Sequence, residues 1–99
     1  MTTARGKKLA AAELLAVAAD PIRWTLLTQL AAGGSCVCNL QSHVPIAANL
    51  LSYHLKVLRE AGLVTASRRG RWIDYALAPD ALVRLHAAVP GTETAARVS

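Results

Sequence analysis

A mainly α-helical chain with one β-hairpin is the fold class predicted by this sequence of 99 residues, and three observations predict it. From Leu9 to Ala61 the apolar residues recur at helical spacing, broken by helix starts and stops. After Gly62 the period changes to alternation, in two short runs separated by Arg69-Gly70. A last helical run follows Pro79-Asp80, and nothing in the chain repeats or marks a second domain.

Residues 1–8 are polar, small and basic, and are expected to form a flexible arm. Leu9 to Ala19 carries alanine and leucine on nearly every side, with Glu13 its only charge. A helix apolar all round needs cover on more than one side, so in a short chain it is expected at a subunit interface. Asp20 can cap the free amides of the next helix, and Pro21 tolerates its first position. That helix is predicted to run to about Ala32, with Ile22, Leu26, Leu27 and Leu30 inward, and Gly33-Gly34 stops it. Ser35 is expected to cap a short third helix whose Val37, Leu40 and Val44 face the core, and Pro45 ends it.

The fourth helix, Ala48 to Gly62, organises the rest. Leu51, Leu55 and Leu58 form an apolar stripe that Leu50 and Val57 widen, while Asn49, Ser52, Tyr53, Lys56 and Arg59 fall opposite. A buried back and a hydrogen-bonding, cationic front suit insertion into a DNA groove, so the third and fourth helices read as a helix-turn-helix. Gly62 stands where a left-handed cap belongs. Leu63 to Arg68 and Arg71 to Leu77 then form the hairpin, with Arg69-Gly70 as its turn. This register sets Val64 opposite Tyr75 and Ala66 opposite Ile73, and leaves Arg68, Arg69 and Arg71 at the tip, where they can meet phosphates. Ala81 to Val89 is the last helix, expected to pack with the first across a dimer axis. The domain thus spans 9–89, and 90–99 is expected to be a disordered tail.

Composition points the same way. The net charge is +5, and between Lys56 and Asp74 five basic side chains of the reading helix and hairpin stand against Glu60 and Asp74, the footprint expected for a polyanion. Apolar residues make up 54% of a chain near the size where burial is marginal, which calls for a second copy. With no bilayer-length apolar run and no leader-like start, the expected location is the cytoplasm. Two cysteines one residue apart, Cys36 and Cys38, are then thiols available for metal or redox chemistry rather than a disulfide framework. No Gly-rich phosphate loop, Ser/His/Asp set or paired carboxylates suggest an enzyme.

Ala-Asp-Pro-Ile-Arg at 19–23, Cys-Val-Cys-Asn-Leu at 36–40, Ser-Tyr-His-Leu-Lys-Val-Leu-Arg-Glu-Ala-Gly-Leu-Val at 52–64 and Gly-Arg-Trp-Ile-Asp-Tyr-Ala-Leu at 70–77 together resemble the ArsR/SmtB family of metal-responsive bacterial repressors. The resemblance spans roughly residues 9 to 88. It implies a winged helix-turn-helix homodimer, joined through its first and last helices, on a pseudo-palindromic operator of double-stranded DNA and usually released by an inducer. Within it, Asn49, Ser52 and Tyr53 are assigned to base edges, Lys56 and Arg59 to nearby phosphates, and Arg68, Arg69 and Arg71 to the wing.

Cys36 and Cys38 resemble the start of the family's arsenite motif, but Gln41 stands where a third cysteine normally follows, and the chain has no other cysteine. On the helix before the reader, i and i+2 point nearly opposite ways, so both sulfurs are expected to reach one ion only if the first turn unwinds, which would couple ion binding to DNA binding. The expected ligand is thiophilic, arsenite, antimonite or cadmium, with water, an added thiol or His43 completing the shell. The family's other common site begins Asp-x-His on the last helix. Here Leu82 follows Asp80 and His86 stands alone, so nickel or zinc would need a different arrangement. Open alternatives are redox sensing by the thiols, cysteines that merely pack, a repressor that senses nothing, and a thiol metal carrier. The residues that usually cap the reading helix are replaced by Ala47 and Ala48, so relatives do not supply the operator sequence.

Overall fold

The computed structural model describes residues 9–33 and 35–90, without the side chains of 35–38; the expected N-terminal arm and residues 91–99 of the expected tail lie outside the described residues. In chain order the elements are α1 (Ala11–Ala19), α2 (Pro21–Ala31), β1 (Ser35–Cys36), α3 (Val37–His43), α4 (Ala48–Glu60), β2 (Val64–Arg69), β3 (Trp72–Leu77) and α5 (Ala81–Ala88). This is a winged helix-turn-helix: α3 and α4 form the helix pair, and β2 and β3 form the wing. Among the described residues no helix is long and apolar enough to cross a membrane.

Local chemistry accounts for most boundaries. The Asp20 carboxylate accepts from the amides of Ile22 at 3.0 Å and Arg23 at 3.1 Å, so α2 starts where aspartate precedes proline. Glu13 reaches back to the Ala10 amide at 3.1 Å and closes the first turn of α1. The start of α4 has no side-chain cap, as Ala47 requires. Its end turns through Gly62 at φ +79°, a conformation open to glycine at little cost.

The core is a leucine cluster built from every helix. Leu14 and Ala18 of α1, Leu26, Leu27 and Leu30 of α2, Leu40 of α3, Leu51, Leu55 and Leu58 of α4, Leu63, Val64 and Ala81 are all buried in it. Val44, just past α3, is buried with them, and Ile22 is only half-buried. Leu50 departs from expectation and is exposed, because it lies about 100° round α4 from Leu51. His54, about 60° from Leu51, completes the buried face instead.

The sheet has three antiparallel strands in the order β1-β3-β2. Strand β1 corrects the sequence reading: Ser35 pairs with Tyr75 and Cys36 with Asp74, so Ser35 belongs to a strand and the third helix begins at Val37, two residues on. The hairpin register also differs. Val64 faces Leu77, Ala66 faces Tyr75 and Arg69 faces Trp72, so the turn is Gly70-Arg71 rather than Arg69-Gly70. Gly70 has φ +62° and Arg71 does not have positive φ, the pattern of a II′ turn, which takes glycine first. A shift of two residues keeps each side chain on its expected face. Beyond Val64, β2 is exposed throughout and projects from the core as a wing.

Helix α5 lies against α1 of the same chain. Within the subunit the pair forms one layer.

Candidate nucleic-acid interface

The five residues predicted for the front of α4, Asn49, Ser52, Tyr53, Lys56 and Arg59, are all exposed, while Leu51, His54, Leu55 and Leu58 are buried. They share one face because 3.6 residues per turn separates them from the leucine stripe. Lys56 stands 3.7 Å from Glu60 one turn on, an exposed pair that leaves the ammonium in reach of an anion. Tyr53 meets the His54 ring edge-on, with centroids 5.2 Å apart and planes at 64°, which orients its phenol on the exposed side.

In the wing, Arg71 lies in the turn and Arg68 on the last paired residues of β2, both exposed. Arg69 is placed differently. Its Nε donates to Asp74 Oδ2 at 2.7 Å and its Nη2 to Oδ1 at 3.0 Å, a two-point pair across the outer face of the hairpin. The Arg69 guanidinium holds the Asp74 carboxyl below the usual carboxylate range, first by that hydrogen bond and then by its charge. The wing therefore offers Arg68 and Arg71 to an anion more directly than Arg69.

Two arginines that sequence reasoning did not single out fix α4 from behind. Arg23 on α2 donates through Nε to the Val17 carbonyl at 2.7 Å and through Nη1 to His54 Nδ1 at 3.0 Å. A guanidinium cannot accept, so Nδ1 does, and the buried ring carries its proton on Nε2. Asp20 lies 3.9 Å from the same nitrogen. Its carboxyl sits below the ordinary range, chiefly because the Arg23 amide donates to it, with the Arg23 charge and the Ile22 amide adding to the effect. Arg84 on α5 donates to the carbonyls of Gly62 at 3.0 Å and Ala61 at 3.1 Å, just past the end of α4. The Asp-Pro-Ile-Arg sequence signalled a helix start but not the reach of Arg23 to α4, and Arg84 carried no local signal.

The predicted metal ligands fare differently. The side chains of Cys36 and Cys38 lie outside the described residues, but their backbones straddle the junction of β1 and α3. The two cysteines therefore do not share a helix, so the expected unwinding of a shared first turn does not apply to them. His43, in the last turn of α3, is exposed and donates from Nδ1 to the Asn39 carbonyl at 3.1 Å, which leaves the lone pair on Nε2. Positions 38 and 43 are five residues apart in one helix, about 140° round and about 7.5 Å along it, so His43 does not fit a shell shared with Cys38 of the same chain. Among the described residues no three His, Cys, Asp or Glu side chains gather as a metal group, and His86 lies in an apolar groove on the α1/α5 side.

Known proteins share this arrangement. The profile of the family described as "Bacterial regulatory protein, arsR family" matches residues 20–66, from the α2 cap into the wing. The HTH-type transcriptional repressor SmtB of Mycobacterium tuberculosis is 40% identical over 76 residues, 77% of this chain but 56% of that protein, so the chain spans little more than half the length of that relative. The HTH-type transcriptional regulator CmtR of Mycobacterium bovis is 37% identical over 84 residues, covering 85% of this chain and 71% of the relative. A crystal structure described as that of a possible transcriptional regulator for arsenical resistance superposes with a TM-score of 0.72 at 36% identity, covering 87% of this chain and 95% of the other. By the profile match, the similarity to CmtR over most of both chains and the superposition, the chain belongs to the arsR family of bacterial regulatory proteins, a family of transcriptional regulators and not of enzymes.

Proposed function

We propose that the chain is a homodimeric cytoplasmic repressor that lays α4 of each subunit into a major groove of a pseudo-palindromic operator. The observation that carries this reading is the division of α4 into an exposed polar front and a buried back, followed directly by a cationic wing. Asn49, Ser52 and Tyr53 reach base edges, Lys56 and Arg59 grip the adjoining phosphates, and Arg68 and Arg71 hold the backbone beside the groove, with Arg69 joining them when it leaves Asp74. Two half-sites about one helical turn apart match two reading helices related by a dyad. The dyad lies on the α1/α5 layer. Leu82 and Val83 are 56% and 70% exposed there, beside an apolar groove of about 540 Å³ lined by Leu15, Trp24 and Leu85 among others. A second copy seated on that layer removes this surface from water.

The ion response is assigned to Cys36 and Cys38. Their soft thiolates suit arsenite, antimonite or cadmium, and one relative by structure is described as a regulator for arsenical resistance. A strand-to-helix junction suits the pair, since a break in helical geometry frees the two positions from facing opposite ways. With Gln41 in place of a third cysteine, the remaining ligand comes from solvent or an added thiol. Cys36 pairs through its backbone with Asp74 of the wing strand, so movement at the junction reaches both α3 and the wing, and differential affinity for two shapes of this junction changes DNA binding.

The test is fluorescence anisotropy of the reduced protein on the duplex upstream of its own gene, with arsenite, cadmium, zinc and nickel added in turn, beside a Cys36→Ser, Cys38→Ser double variant. Release of the wild type but not of the variant by arsenite or cadmium is expected. Release of both by zinc or nickel moves the sensor to other residues.

A further inference from the structure

The reading helix is fastened from behind at two points. Arg23 holds it at His54, near its middle, and Arg84 holds the two carbonyls that follow its last turn. Helix ends leave carbonyls without intrahelical partners and carry the negative end of the dipole, so a cation there is doubly favoured. A planar guanidinium bonded at two points fixes direction as well as distance. The fit is close: a Cβ on Gly62 would stand 2.8 Å from Arg84 Nη1. Arg84 also follows directly on Leu82 and Val83, the most exposed apolar residues of α5.

We propose that Arg84 is a positioning residue for DNA recognition: by tying the end of α4 to α5, it sets the angle at which each reading helix leaves the dimer layer, and hence the half-site spacing the dimer accepts. This rests on the DNA-reading function proposed above. With the middle of α4 held by Arg23 and its back seated in the core through Leu51, Leu55 and Leu58, a slip at the fork acts as a small tilt about His54. Ala61 lies about 10 Å further along, so a slip of about 1 Å at the fork tilts the helix by about 5°. In a dimer both tilts act on the separation of the two reading faces, to which spaced half-sites are sensitive.

The experiment uses a two-half-site duplex selected from a random pool with the wild-type protein, and versions with one base pair added or removed between the half-sites. Binding of wild type, Arg84→Met and Arg84→Lys is measured by anisotropy, with sedimentation and circular dichroism to follow dimer and helix content. Arg84→Met is expected to lose about tenfold on the selected spacing, the order of one misplaced base contact, and little on the altered spacings, so the preference flattens. Arg84→Lys, whose ammonium can still donate to the same carbonyls, is expected to restore part of it. Should Arg84→Met fail to fold, Gly62→Ala displaces the fork with the arginine kept and is expected to flatten the ranking likewise. If the variants bind more weakly or melt earlier but keep the wild-type ranking of spacings, Arg84 only stabilises the fold and the proposal is wrong. If wild type binds no duplex in a salt-dependent way, the DNA-reading function fails and the positioning role falls with it.

Discussion

Arg23 and His54, 31 positions apart, meet through a 3.0 Å hydrogen bond in which the guanidinium donates to Nδ1, and the same side chain holds the Val17 carbonyl at 2.7 Å. One residue thereby joins the end of α1, the start of α2 and the back of α4. Arg23→Met keeps the aliphatic stem but leaves the ring nitrogen and the carbonyl without their donor, at about 1–3 kcal/mol for each such group that stays dry. We expect a loss of about 2 kcal/mol by urea unfolding at fixed protein concentration. In the cycle with His54→Leu the two changes should couple by about 1 kcal/mol. Additive costs would show that the bond carries no stability.

Asp20 caps α2, so Asp20→Ala should cost about 1 kcal/mol, and Asp20→Asn much less, since an amide oxygen can accept the same two amides. The Asp20 carboxyl is held below its ordinary value by the Arg23 amide, so its ionised form is favoured in the folded chain. Its contribution is therefore complete above the ordinary carboxylate range and is lost as pH falls through the lowered folded value. Urea midpoints of wild type and Asp20→Asn should converge below about pH 4. A gap that widened on acidification would contradict the assignment.

Asp74 competes with phosphate for Arg69. Asp74→Asn removes a negative charge from the wing and releases the fork, so duplex affinity should rise several-fold and the salt slope should steepen by up to about 0.9, one added phosphate contact. Arg69→Ala should weaken binding less than Arg68→Ala or Arg71→Ala. Anisotropy over a potassium chloride series checks both orders, and a weaker Asp74→Asn complex would mean that the pair presents Arg69 to DNA rather than withholding it.

The exposed apolar face of α5 makes a dimer prediction. Val83→Asp places a charge on the most exposed large apolar side chain among the described residues, where it costs little in a monomer and much in a dry interface. Sedimentation should find dimers for wild type and monomers for the variant, with helix content unchanged. A dimeric variant would move the interface elsewhere.

What could be read in the sequence follows from the length of each signal. Helix α4 was legible because a leucine stripe over more than three turns leaves its polar front no other side, and the α2 start because Asp20-Pro21 has one good use. Strand β1 was not, since two residues cannot show alternation and its partner Tyr75 is forty positions away. The wing register was missed by two because glycine serves either turn position, and the choice between them rests on the φ of Arg71. The face of each strand survived that error, so the cationic tip was placed, but not the diagonal pairing that occupies Arg69. Leu50 widens the apolar stripe in sequence yet is exposed, while His54 is buried, its polar ring tolerated there because Arg23 satisfies it. Arg84 stayed hidden because its partners are backbone carbonyls brought to it by the fold alone.

The claim on which the rest depends is that the front of α4 reads bases. The direct measurement compares wild type with an Asn49→Ala, Ser52→Ala, Tyr53→Ala triple variant on a selected operator and on a scrambled duplex, by anisotropy across a salt series. All three side chains are exposed, so the variant should fold as wild type does. We expect its operator affinity to fall to the level of the scrambled duplex, with a salt slope kept by Lys56, Arg59 and the wing. A triple variant that still prefers the operator as strongly as wild type would contradict the account and place the reader outside α4.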